Sequence, residues 1–212
     1  MIFWAQRKQK KGKLDFQTAK PPVSVVICSK NESENLHKFL PSILEQDYPN
    51  FEVVVVNDGS TDTTSEVLSI FKERYNNLYE TYIPQSAEII SRKKLGLTLG
   101  VKAAKNEILL FTDADCKAVS RHWISKMVRN FTPETEFVLG CGLYMYEKTF
   151  INRLISYDTL TIALQYLGFA FAGRPYMGVG RNLAYRKSTF MSHKGFAGLL
   201  HVQSGDDDLF VN

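Results

Sequence analysis

The stretch at residues 107–116, EILLFTDADC, constrains the fold more than any other: four apolar residues run straight into two aspartates spaced one apart. Ile108, Leu109, Leu110 and Phe111 show no polar alternation, the pattern of a strand covered on both faces in a parallel sheet between helical layers. In an extended chain Asp113 and Asp115 project to the same side. Carboxylates held that close repel unless something positive stands between them, and hard oxygens suit Mg²⁺ or Mn²⁺. The competing reading is a turn and helix-cap pair, since aspartate is common where strands give way to loops. Position weighs toward the metal: open parallel sheets take their ligands at the C-terminal edge of the strands, where this pair falls.

The same unit recurs along the chain. Pro21-Pro22 marks a boundary, and residues 23–28 form a second near-continuous apolar run ending at Ser29-Lys30-Asn31-Glu32. Leu36, Phe39, Leu40, Ile43 and Leu44 then repeat at helical spacing. A third run at 51–56 leads into Asn57-Asp58-Gly59-Ser60, and Thr63 to Glu66 reads as a capping box for the next helix. A weaker strand is expected at 79–84, a helix at 95–104 behind Arg92-Lys93-Lys94, a helix carrying Ile124, Met127, Val128 and Phe131, and a strand at 137–146. Such alternation implies right-handed crossovers and an α/β fold with a mostly parallel central sheet flanked by helices. Glu32, Asp58 and the Asp113/Asp115 pair then share one edge.

Beyond Tyr146 the rhythm breaks into a long aromatic helix at 150–171, in which Tyr157, Tyr166, Phe169 and Phe171 read as core. Its longest uncharged window, residues 159–173, would span about 22 Å as a helix, short of a hydrocarbon core of about 30 Å. The segment therefore reads as buried or interfacial. The net charge of +4 is concentrated at the start, where Arg7, Lys8, Lys10, Lys11, Lys13 and Lys20 face only Asp15. That argues against a nucleic-acid-binding face and for a basic juxtamembrane-like leader at 1–21, with one domain at 22–212. Cys28, Cys116 and Cys141 are too scattered for a disulfide framework or a zinc site.

Three buried strands delivering acids to one edge cost electrostatic repulsion unless cations or hydrogen-bond donors gather there. A nucleotide diphosphate with its divalent ion uses them all, and Arg92, Lys93 and Lys94 at a helix start could counter phosphate charge. The segments VSVVICSKNE, VVVVNDGSTD, LLFTDAD and SGDDDLF, in that order, resemble those of the family 2 glycosyltransferases, inverting enzymes with the GT-A nucleotide-sugar fold. The resemblance runs over roughly residues 22–212. It implies transfer of a sugar from a nucleotide-sugar donor, commonly UDP-linked, to the hydroxyl of a carbohydrate or lipid-linked acceptor, with inversion, in polysaccharide, glycolipid or glycan synthesis.

Carried over by matching position, Glu32 and Asp58 would contact the nucleoside, Asp113 the ribose or a metal-bound water, and Asp115 the Mn²⁺ or Mg²⁺ ion; Lys93 and Lys94 are the phosphate candidates. The general base of this family sits in an acidic pair before a helix. Matching on Leu209 assigns it to Asp206, and matching on the doublet to Asp207. Gly178-Val179-Gly180-Arg181-Asn182 resembles the glycine-containing strand on the family's acceptor side, making Gly180, Arg181 and Asn182 acceptor candidates. Members with this layout are often flanked by membrane helices, so the resemblance implies a catalytic domain truncated at its C-terminus and facing the cytoplasm at the cell membrane. Two rivals stand beside it. A sugar-phosphate nucleotidyltransferase would want a glycine-rich loop after the first strand, where this chain has Ser29-Lys30-Asn31-Glu32. A nucleotide-sugar-binding module without turnover would need only the donor half.

Overall fold

The computed structural model describes residues 20–84, 91–196 and 211. The leader at 1–19 and the acidic cluster with Asp206 and Asp207 lie outside the described residues. In chain order the elements are β1 (Val23–Ser29), α1 (Ser33–Leu44), β2 (Phe51–Asn57), α2 (Thr64–Arg74), β3 (Leu78–Tyr82), α3 (Arg92–Ala103), β4 (Ile108–Phe111), α4 (Trp123–Val128), β5 (Phe137–Leu139), α5 (Phe150–Phe171), a 3₁₀ turn η1 (Gly180–Asn182), β6 (Leu183–Arg186) and α6 (Lys187–Ser192). The strands form one sheet in the order β3-β2-β1-β4-β6-β5. β1 pairs in parallel with β2 and β4, and β2 with β3; β6 runs antiparallel to both β4 and β5. This is the α/β, mostly parallel sheet that the apolar runs imply.

Two cores follow from strand alternation. Val23, Val25 and Ile27 of β1, with Val53 and Val55 of β2, face α1, α2 and α4 through Leu36, Leu40, Leu68, Ile124 and Met127. Val26, Leu109 and Phe111 face the opposite layer, where α3 supplies Leu97 and Val101, and α6 supplies Phe190. The α3 contact is close because of its glycines: a Cβ on Gly100 would lie 2.5 Å from Val26 Cγ1. A full methyl there overpacks a core already at crystal-like density.

Three expectations are corrected. β5 ends at Leu139 rather than at Tyr146. The chain leaves the sheet at Gly140, where a side chain would overlap that of Asn182, and Leu143 to Tyr146 are exposed. Thr63 makes no side-chain cap for α2, and no capping box forms; Asp62 Oδ1 accepts from Thr64 N at 3.1 Å instead. Of the four aromatics on α5 only Tyr166 is core, at 2% exposure, while Tyr157, Phe169 and Phe171 are open to solvent. Tyr166 earns its place with its hydroxyl, which donates to Gly140 O at 2.7 Å. No helix among the described residues is long and apolar enough to cross a membrane.

Candidate active site

The edge carrying the acids is built by two loops that hydrogen-bond to each other before they touch anything else. Asp58 N donates to Ser29 O at 2.8 Å, Asn31 N to Ser60 Oγ at 2.9 Å, and Thr61 N to Asn31 Oδ1 at 2.8 Å. Glu32 N donates to Thr64 Oγ1, and Ser33 N to Asp62 Oδ2, each at 3.1 Å. Asn31 (φ 55°) and Gly59 (φ 58°) take left-handed conformations that let both loops turn under the edge, roles that asparagine and glycine fill at low cost. Burial opposes ionisation of Asp62, but the hydrogen bonds from Thr64 and Ser33 together outweigh it and hold the carboxyl down at about 2.

On this frame Glu32 is half-buried and accepts from Asn35 Nδ2 at 2.6 Å. Asp58, 14% exposed, is gripped by Arg92 at 2.5 Å, with Lys30 Nζ at 3.8 Å. Arg92 opens α3, so it ties the helix start to the second acidic loop. Its neighbours diverge. Lys93 is half-exposed and stands 3.9 Å from Asp113 Oδ1. Lys94 is 0% exposed, and its backbone N–H is capped by Ser91 Oγ at 3.4 Å. At this edge the Lys93 side chain is open to solvent, Arg92 is partly so, and Lys94 is buried.

Asp113 and Asp115 come together as expected: one oxygen of each and Cys116 Sγ all lie within 4.8 Å of one another. Two carboxylates at that range repel by about 1 kcal/mol even in water, more under partial burial, and Lys93, 3.9 Å from Asp113 Oδ1, offsets part of it. The two carboxylates of this set fit a hard divalent cation, and the sulfur does not. Burial first, then the Asp115 and Asp113 charges, push the Cys116 thiol up to about 11, so near neutrality it is an S–H pointing at Asp115 Oδ1, 3.5 Å away. Its position next to Asp115 in sequence was the available signal, and hard-ligand reasoning passes over it.

The acceptor candidates stand beside this pair. Leu183 pairs with Phe111, so Gly180, Arg181 and Asn182 sit just beyond the edge from which Asp113 and Asp115 emerge. Asn182 is 8% exposed and bonded at both ends of its amide: Oδ1 accepts from Trp123 Nε1 at 3.0 Å, and Nδ2 donates to Cys141 O at 3.1 Å. It braces α4 and the exit of β5 against η1. Nothing in the composition around Trp123 announces that brace. Gly178 is explained by packing, since a Cβ there would lie 2.9 Å from Val211 Cγ2.

A six-stranded, mostly parallel α/β sheet flanked by helices, with carboxylates gathered at the C-terminal edge of β1, β2 and β4, is the architecture of the GT-A class. Residues 24–198 match Glycosyl transferase family 2, and the chain belongs to that family. Among curated relatives, it is 32% identical over 93 residues to a poly-beta-1,6-N-acetyl-D-glucosamine synthase of Staphylococcus epidermidis, covering 44% of this chain and 21% of that one. It is 36% identical over 112 residues to glycosyltransferase AglE of Haloferax volcanii, covering 51% and 34%. The chain thus spans well under half the length of these relatives. Among solved structures, the mannosyltransferase PcManGT of Pyrobaculum calidifontis, in complex with GDP-Man and Mn²⁺, superposes with TM-score 0.70 at 24% identity over 91% of this chain and 51% of its own. Residues 1–349 of TarS from S. aureus superpose with TM-score 0.59 at 20% identity, over 90% and 54%.

Proposed function

We propose that this domain transfers a sugar from a nucleotide-sugar donor, UDP-linked in the first instance, to an acceptor hydroxyl with inversion, in the synthesis of a cell-envelope polysaccharide, glycolipid or glycan. The observation that carries the reading is the single edge on which Glu32, Asp58, Asp113 and Asp115 converge with Arg92 and Lys93 interleaved. Glu32 and Asp58 accept from ribose hydroxyls and base N–H groups. Asp58 does so while Arg92 fixes its rotamer, an orientation set before the ligand arrives. Asp113 and Asp115 would hold the divalent cation, which supplies charge neutralisation at the departing diphosphate. Lys93 adds a second positive charge on the same side.

The acceptor oxygen attacks the anomeric carbon from the face opposite the diphosphate, the C1–O bond to phosphate breaks, and the acceptor proton passes to a carboxylate within hydrogen-bond reach. In this reading the base is Asp206, with Asp207 as its neighbour, both outside the described residues. The GDP-Man and Mn²⁺ of the Pyrobaculum complex, and a TarS complex with UDP-GlcNAc, support a nucleotide-sugar donor and a divalent ion as the class of ligand. Action at the cytoplasmic face of the cell membrane, on a carbohydrate or lipid-linked acceptor, is part of the same proposal and is motivated by the basic residues at 7–13.

The test is calorimetric titration of UDP and GDP, with and without Mn²⁺, into wild type and Asp115→Ala. The expected result is metal-dependent binding of one nucleotide, weakened on the order of 100-fold in the variant. Binding equally strong without the ion, or unchanged in Asp115→Ala, would sink the assignment of the metal pair.

A further inference from the structure

Three arginines among the described residues are partly buried, and each is satisfied differently. Arg92 is bound to Asp58. Arg186 donates to Thr135 O at 2.9 Å and Thr132 O at 2.8 Å, over the ring of Phe131. Arg181 lies over the ring of Tyr144, with 5.6 Å from its guanidinium carbon to the ring centroid. Among the described residues no carboxylate or carbonyl receives its N–H groups. A guanidinium brings five donors in a planar fork, and one aromatic face satisfies none of them with an oxygen.

The side chain is nonetheless held in place. Its stem crosses bare backbone at Gly142, where a Cβ would lie 2.6 Å from both Arg181 Cγ and Cδ. The next residue, Asn182, is anchored to Trp123 and Cys141, so the backbone beneath Arg181 is fixed as well. The position matters because η1 leads directly into β6, whose first residue pairs with the last residue of β4. A pre-set, partly buried cation, without an oxygen partner among the described residues, therefore stands at the edge from which Asp113 and Asp115 emerge, across β4 from Glu32 and Asp58.

We infer that Arg181 is an anion-binding residue that receives the paired oxygens of a phosphate or carboxylate on a substrate. This rests on reading the domain as a glycosyltransferase, and it deepens that reading: an acidic group close to the reacting hydroxyl, as on a phosphate-bearing or uronic-acid acceptor, fits the position, and the donor diphosphate is the other source of the same chemistry. Charge-assisted bidentate bonds of this kind are the strong ones available to arginine, and lysine replaces them poorly.

The experiment is ligand-observed NMR titration of inorganic phosphate, glucuronate and neutral glucose, with the protein nucleotide-free and again loaded with nucleotide and Mn²⁺. Wild type is compared with Arg181→Gln and with Arg181→Lys, which keeps the stem over Gly142 and controls for folding. The expected result is that phosphate and glucuronate bind wild type in both states, about tenfold or more weakly to Arg181→Gln, with partial recovery in Arg181→Lys and no change for glucose. If instead nucleotide affinity drops about tenfold in Arg181→Gln and loaded wild type no longer takes up phosphate, the guanidinium serves the donor, and the acceptor assignment is overturned. Anion titrations identical in all three proteins overturn the inference outright. The nucleotide-free arm tests Arg181 even if no nucleotide binds, so failure of the donor reading shows separately.

Discussion

The two sides of the β4 edge are made on opposite plans. Toward β1 and β2, the loops are short, cross-bonded and charged, and the backbone N–H groups of Asn31, Glu32, Ser33 and Thr61 find side-chain acceptors on the neighbouring loop. Toward β5 and β6, the chain leaves the sheet early, and α5 buries only Ala163, Tyr166 and Leu167 while Phe150, Ile151, Leu154 and Phe171 are exposed. Both sides contain helices and aromatic residues, so composition does not separate them. What separates them is where polar groups find partners. The first side is tied together loop to loop; the second is held by a few braces, chiefly Asn182 and Tyr166.

Mutations can break this contrast or sharpen it. The largest effect on stability is expected from Gly100→Val, which drives branched carbons into Val26 and Val56 beneath the donor side and should cost on the order of 3 kcal/mol in urea unfolding. Trp123→Phe keeps the ring but removes the N–H that Asn182 Oδ1 accepts, leaving a buried acceptor without its partner; about 1 kcal/mol is expected, with nucleotide affinity unchanged. A loss of nucleotide affinity equal to the loss of stability would mean the two sides are one unit.

Asp62→Asn sharpens the comparison through pH. The folded-state pKa is depressed from 3.8 to about 2, so the carboxylate contributes stability that is fully present above the unfolded value and lost as pH falls through the folded one. The wild type should therefore be the more stable protein near neutrality, and the difference should close between those two values; a gap that persists at the acid end would assign the effect to geometry, not charge. The smallest change is expected for Phe171→Ser on the exposed face of α5, within about 0.5 kcal/mol by thermal unfolding, because 71% of that side chain already faces solvent.

Legibility in the sequence follows the same division. Apolar runs at 23–28, 51–56 and 108–111 announce β1, β2 and β4 because strands covered on both faces leave no alternative, and the acids that follow must then reach one edge. Asp113 and Asp115 are adjacent in space because they are nearly adjacent in sequence. The exit of β5 at Gly140 was not legible, since it depends on the Asn182 side chain arriving from 42 positions further on. Lys94 reads like Lys93 in the chain, yet one is buried and the other is not, because a helix start turns successive side chains about 100° apart. The aromatic helix misleads for a simpler reason: apolarity on every face reports that a helix wants cover, without saying which face the domain itself supplies.

The paired bonding of the two acidic loops has a consequence for loop exchange. Residue 31 is joined to 60 and 61, 32 to 64, and 33 to 62, and in three of these four bonds the first loop contributes only backbone N–H. The side chains that the pairing fixes are therefore Asn31 on one loop and Ser60, Asp62 and Thr64 on the other. A graft of residues 29–33 that keeps Asn31 and brings in no proline should be tolerated, where loss of the oxygens at 60, 62 and 64 together should unfasten the loops.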